Sequence, residues 1–179
     1  IILGTAQIGM PYGIGRWENQ LMPEKEAFRI LDAAWERGIT SLDTSPDYGV
    51  AEERIARYVS ANPAKHFHII SKIKDVPEKS LDVKKRFKSW FMECPFYANE
   101  SCRSLSLMLH KETDIYRVEV VEQLNILLDN NELFGWGVSL YNEATAFDLT
   151  KFPRCSMVQL PFSAFDQAFA RKGVIKLLS

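Results

Sequence analysis

Four residues whose side chains bind or release protons stand where alternating strands and helices could gather them. Asp43, Lys72 and His110 each close a short apolar run, and Tyr48 follows Asp43 across the turn Thr44-Ser45-Pro46-Asp47. A phenol beside an ammonium becomes a better acid, and an ammonium withdrawn from water calls for a carboxylate partner. An imidazole on the same rim adds a hydrogen bond for an oxygen atom. Each residue taken alone has a plainer explanation. Asp43 could cap the turn before a helix, and Tyr48 could be a packed aromatic. Lys72 could be a solvated strand end, and His110 an ordinary core or surface histidine. Lys72 is also a residue type that forms Schiff bases, which leaves a barrel isomerase or aldolase open.

The elements that must position these residues alternate in type along the chain. Ile1 to Thr5 reads as a strand and Gly9 to Gly15 as a loop. Ala27, Ile30, Leu31, Ala34 and Trp35 recur at helical spacing after Pro23, with Gly38 where a capping glycine belongs, so a helix is expected over roughly 23 to 37. Ile39 to Asp43 is the second strand, followed by a helix from Val50 to Ala61. Phe67 to Lys72 is the third, with a helix from Ser80 to Cys94 behind it. Ser104 to His110 is the fourth, followed by an amphipathic helix from Tyr116 to Asn130 whose core face is expected at Val118, Val121, Leu124 and Leu128. Phe134 to Ser139 and Met157 to Pro161 are the fifth and sixth strands. A short helix from Asn142 to Leu149 lies between these two, and Val174 to Leu178 belongs to a last helix. Alternation of this kind means a parallel sheet, either open and doubly wound or part of an eight-fold barrel. The glycines Gly4, Gly9, Gly13 and Gly15 do not have the Gly-x-Gly-x-x-Gly spacing of an open nucleotide-binding sheet. Asp43, Lys72, His110 and Ser139 each close a different strand, as the residues around a barrel mouth do.

The totals narrow the partners. The 179 residues, 46% of them hydrophobic, can bury one sizeable core and are read as a single domain. With 22 Lys plus Arg against 23 Asp plus Glu, the chain offers no field to attract nucleic acid or an anionic membrane. No run is apolar enough for a spanning helix, and no basic-then-apolar leader opens the chain, which begins at Ile1. Cys94, Cys102 and Cys155 fit neither a disulfide framework nor a zinc knuckle, so reduced thiols and a cytoplasmic location are expected. His66 and His68 alternate on a strand edge without a Cys, Asp or Glu partner, and no metal site is expected there.

The run Leu42-Asp43-Thr44-Ser45-Pro46-Asp47-Tyr48-Gly49, then Ser71-Lys72, then Leu107-Met108-Leu109-His110, resembles the aldo-keto reductase family. Leu3-Gly4-Thr5-Ala6, Gly135-Trp136-Gly137-Val138-Ser139 and Val158-Gln159 extend the likeness along the chain. The resemblance implies a TIM (β/α)8 barrel and an oxidoreductase that reduces an aldehyde, ketone or sugar carbonyl with NADPH, NADH remaining open. Tyr48 would be the proton donor, Lys72 the cation beside it, Asp43 the partner of Lys72, and His110 the group that orients the carbonyl oxygen. Ser139 and Gln159 would hold the nicotinamide carboxamide, while Thr5, Ala6 and Asp43 line the cofactor's path. Leu140 stands where the family often has Asn, so one carboxamide contact is either absent or supplied by Asn142. Trp17, Tyr12 and Phe96 are candidate pocket walls, and Trp136, inside a strand, is expected to pack in the core.

About six of the eight strand-helix units are expected in these residues. The family's seventh and eighth strands supply an aromatic that stacks on the nicotinamide and basic residues that grip the adenosine phosphate. The expectation is therefore a domain cut short at its C-terminal side. A short homologue completed by another subunit, an inactive relic and a non-catalytic reductase-like scaffold stand as alternatives.

Overall fold

Six strands, β1 (Leu3–Gly4), β2 (Ser41–Asp43), β3 (His68–Ile73), β4 (Ser104–Leu109), β5 (Gly135–Ser139) and β6 (Cys155–Gln159), form one sheet in chain order. Every neighbouring pair is parallel. This computed structural model describes residues 1–96, 104–171 and 173–175. Helices α1 (Ala6–Gly9), α2 (Glu24–Glu36), α3 (Ala51–Ala61), α4 (Ser80–Glu93), α5 (Val118–Asp129), α6 (Glu143–Asp148) and α7 (Ala168–Arg171) alternate with the strands. Among the described residues no helix is long and apolar enough to cross a membrane.

One contact distinguishes a curled sheet from a flat one. In a flat sheet β2 and β6 would lie about 19 Å apart, four strand spacings. Gln159 Nε2 on β6 instead donates to Asp43 Oδ2 on β2 at 3.3 Å. The sheet therefore rolls up, and the six strands with their helices make part of a (β/α)8 barrel. Its core is continuous from Ile8 and Met22 through Leu42, Ile69 and Leu107 to Trp136 and Val138.

The strands lie within two residues of their expected bounds. α2 ends as its sequence implies, with Gly38 at φ 74° and the pair Gly38 N to Trp35 O and Ile39 N to Ala34 O, both at 2.9 Å. α5 differs from expectation. Val118 is exposed, and the buried positions are Val120, Leu124 and Leu127, with Val121 and Leu128 partly covered. The turn Glu112–Tyr116 winds as a 3-10 helix ahead of α5, which begins at Val118, and Val118 lies on the side that no neighbouring element covers among the described residues. α1 was not expected, since four residues between the first strand and the glycine-rich loop carry no periodicity. α7 was likewise unforeseen. Residues 174–175 are helical, while the rest of the expected last helix, and Cys102, lie outside the described residues.

Candidate active site at the mouth of the half-barrel

Asp43 ends β2, Lys72 sits one residue from the end of β3, His110 follows β4, and Ser139 and Gln159 end β5 and β6. The parallel sheet carries all five to one rim. Lys72 is 3% exposed, and its Nζ donates to Asp43 Oδ1 at 2.6 Å and to the Thr44 carbonyl at 3.0 Å. Its own carbonyl accepts from Trp90 Nε1 at 3.1 Å, which ties β3 to α4 directly behind the amine. The Lys72 ammonium stands 5.2 Å from the centre of the Tyr48 ring. Thr5 fixes Asp43 from the other side, donating to its carbonyl through N at 3.0 Å and through Oγ1 at 2.8 Å. Ser139 Oγ donates to Gln159 Oε1 at 3.4 Å, so a polar chain runs Ser139, Gln159, Asp43, Lys72.

Tyr48 is held by backbone geometry. The turn after β2 closes through Tyr48 N to Ser45 O at 3.0 Å, and Ser45 Oγ accepts from Asp47 N at 3.2 Å. Gly9 of α1 and Gly49 then meet back to back. A Cβ on Gly9 would stand 1.9 Å from the Tyr48 carbonyl, and one on Gly49, at φ +57°, 2.3 Å from the Gly9 carbonyl. Val50 N donates to that same Gly9 oxygen at 3.0 Å. α1 is thus the abutment for the Tyr48 turn. Buried Arg54 secures it, with Nη1 donating to Ile8 O at 2.6 Å and to Met22 O at 2.8 Å.

The His110 N–H continues the strand ladder, donating to Ile73 O at 3.1 Å. The His110 Nδ1 and Thr44 Oγ1 are buried and have no hydrogen-bond partner among the described residues. Two cavities share Asp43. One, of about 440 Å³, lies between Tyr48, Thr5, Ala6 and Tyr12. The other, of about 370 Å³, occupies the barrel interior against Met108, Met157 and Gln159.

The remaining candidates divide. Tyr12 is exposed beside Tyr48, with its carbonyl held by Gln7 Nε2 at 2.8 Å. Trp17 packs partly against the core under Arg16, whereas Phe96, at 1% exposure, is part of the core. Trp136 is fully buried, its Nε1 donating to Asn125 Oδ1 at 3.2 Å. Leu140 is buried, and Asn142 caps α6, accepting from Ala144 N at 2.8 Å. His66 is exposed while His68 hydrogen-bonds with Ser106 Oγ at 2.8 Å, so the two histidines do not converge as ligands. Burial lowers the His68 pKa and pushes the Cys155 thiol up to about 11.

One residue of the neighbourhood escaped the sequence. Glu52, in the first turn of α3, is 8% exposed and accepts from Ser71 Oγ at 2.5 Å. Burial raises its pKa to about 7, against the opposing pull of the Ser71 hydrogen bond and the Lys72 charge. A glutamate at a helix start looks like ordinary dipole complementation. Only its place four residues after Tyr48 hinted at more.

A model of the Aldo/keto reductase family matches residues 1–179. Among curated proteins, D-threo-aldose 1-dehydrogenase of a Pseudomonas species is 32% identical over 73 residues, 38% of this chain and 22% of that protein. The match thus spans about a fifth of the curated relative's length. Among solved structures, a Pseudomonas aeruginosa protein assigned to the aldo-keto reductases superposes at TM-score 0.75 with 19% identity, over 98% of this chain and 67% of that one. An aldo-keto reductase of Klebsiella pneumoniae in complex with NADPH gives TM-score 0.65 at 18% identity, over 98% and 58% of the two chains.

Proposed function

Since the chain belongs to the Aldo/keto reductase family, we propose that the rim set is the proton-delivery site of a nicotinamide-dependent carbonyl reductase. The observation that carries this reading is the buried Lys72 ammonium, paired to Asp43 at 2.6 Å and standing 5.2 Å from the Tyr48 ring. Burying an ion pair is weak as a stabilising device, so its place beside a phenol at a cavity mouth asks for a chemical purpose. In the proposed roles, Tyr48 gives its proton to the carbonyl oxygen of an aldehyde, ketone or sugar in the cavity it shares with Thr5 and Tyr12. Lys72 makes that release easier by stabilising the phenolate left behind, and Asp43 holds Lys72 in place. His110 orients the oxygen. The ion pair of Lys72 with the Asp43 carboxylate at 2.6 Å favours this role over that of a nucleophilic amine.

The residues present fit a nicotinamide. Ser139 and Gln159 offer a hydroxyl and an amide, bonded to each other at 3.4 Å, and Gln159 lines the interior cavity beside Asp43. That pair matches the donor and acceptor of a carboxamide, and the orphaned His110 Nδ1 and Thr44 Oγ1 leave further polar capacity at the rim. A reduced nicotinamide, when bound, supplies the hydride for the carbonyl carbon. Thr5, Ala6, Ser139 and Gln159 are proposed to hold it, with NADPH the favoured form because a neighbour of the same fold binds it.

The test is Tyr48→Phe in the full-length protein. NADPH binding, followed by its fluorescence, should persist while carbonyl reduction falls by about a hundredfold or more, the general-acid share of such a step. Equal rates in wild type and variant would remove Tyr48 as the acid.

A further inference from the structure

Glu52 touches none of the groups assigned a chemical role, yet it stands between the two elements that carry them. It lies in the first turn of α3, directly after the Tyr48 turn, and its bond to Ser71 Oγ reaches the residue next to Lys72 on β3. Neighbouring strand residues face opposite sides of a sheet. Ser71 therefore meets α3 behind the sheet while Lys72 reaches Asp43 in front of it.

The charged groups that bear on Glu52 are few. Lys72 of β3 favours its charged form, and Asp47 of the turn between β2 and α3 opposes it. Asp47 is itself paired with Lys74. On α3, the Arg54 guanidinium is turned away to the Ile8 and Met22 carbonyls and to Glu24. A tie to a serine hydroxyl needs only an acceptor, and a glutamine or asparagine would provide one without the cost of a buried charge. A carboxyl in that position adds something an amide cannot, a charge that can be switched on and off.

We propose that Glu52 is a positioning residue that locks the Tyr48 turn to the Lys72 strand through Ser71, and that its charge state weights the Lys72–Tyr48 pair. Burial brings the switch to about pH 7. Above that pH the Glu52 carboxylate draws on the positive field of Lys72, and Tyr48 becomes a poorer proton donor. Carbonyl reduction, in so far as it rests on the reading above, slows as pH rises through this range.

Carbon NMR of the Tyr48 ring and the Lys72 side chain in the full-length protein reads the coupling without turnover. Both signals should step near pH 7 in wild type, and the step should be lost in Glu52→Gln, which keeps an acceptor for Ser71. In Ser71→Ala the step should move to higher pH, because the hydrogen bond that favours the charged carboxyl is gone; this variant carries the test if Glu52→Gln fails to fold. The pH profile of kcat/KM should lose the same step in Glu52→Gln. Wild-type signals that stay flat through neutrality, or a step that survives the glutamine, overturn the proposal. A chain that shows the step but reduces no carbonyl overturns the reductase reading alone.

Discussion

At the scale of single residues, half-buried Asp43 on the rim and buried Glu52 behind the sheet are acids in different circumstances. Asp43 has its charge answered by Lys72, a hydrogen bond from Gln159, and Thr5 on its carbonyl. Glu52 has one neutral hydroxyl and only a distant share of Lys72. The contrast has a thermodynamic consequence. Because burial raises the Glu52 pKa from 4.5 to about 7, the folded protein keeps a proton that the unfolded chain has already released across that window. This contribution to stability is complete below pH 4.5 and is lost as pH rises through about 7. The displacement corresponds to about 3 kcal/mol. Glu52→Gln, which cannot ionise, should therefore gain on wild type by about that amount between about pH 5 and about pH 8. Urea denaturation at both pH values measures it, and a constant difference between the two proteins would show that Glu52 ionises as a solvated carboxyl does.

At the scale of elements, the site depends on a helix too short to be read from its pattern. α1 spans four residues, yet its last one, Gly9, is where the Tyr48 turn comes to rest. Gly9→Ala puts a methyl 1.9 Å from one backbone oxygen and 2.3 Å from the Ala51 nitrogen. Neither atom has a rotamer with which to escape. The substitution should cost about 1–3 kcal/mol, the usual penalty of overpacking, and should lower carbonyl reduction further by moving Tyr48. Gly4→Ala, which meets nothing within 4 Å, should change the urea midpoint by less than about 0.5 kcal/mol equivalent. Equal midpoints for the two variants would mean that α1 yields and does not clamp. The same helix shows where sequence reading stops. Asp43, Lys72, His110 and Ser139 were legible because each is a polar residue closing an apolar run, a signal that a parallel sheet turns directly into a shared rim, whereas Gln159, inside the expected run Met157 to Pro161, came from the family resemblance. Gly9, Gly49 and Glu52 were not, because a close backbone approach and the burial of a helix-start glutamate are consequences of packing between segments. Phe96 and Val118 failed for the same reason, since loop position and helical period do not specify which side a neighbouring element covers.

At the scale of the whole molecule, the half-barrel has two strand edges without a partner among the described residues, β1 at one end of the sheet and β6 at the other. The curl brings them to the same side, where the interior cavity opens between Ile2 and Met157. Ile1 and Ile2, just before β1, and Phe162 and Phe165, just after β6, are exposed. A bare edge offers unpaired N–H and C=O groups to any other strand, and a net charge of -1 gives little repulsion to keep copies apart. As isolated 179-residue molecules, these chains should therefore associate through β6, and the weight-average sedimentation coefficient should rise with concentration. Lysine on an edge strand is the usual protection, because its charge must be desolvated before another strand can pair. Ser156 is an exposed position of β6 outside the proposed site, with its Oγ donating to Trp136 O at 3.3 Å. Ser156→Lys should keep the circular dichroism of the parent and lower the concentration dependence. If the parent stays monomeric at every concentration, the β6 edge is already protected by its own twist, and the association argument fails at its first step.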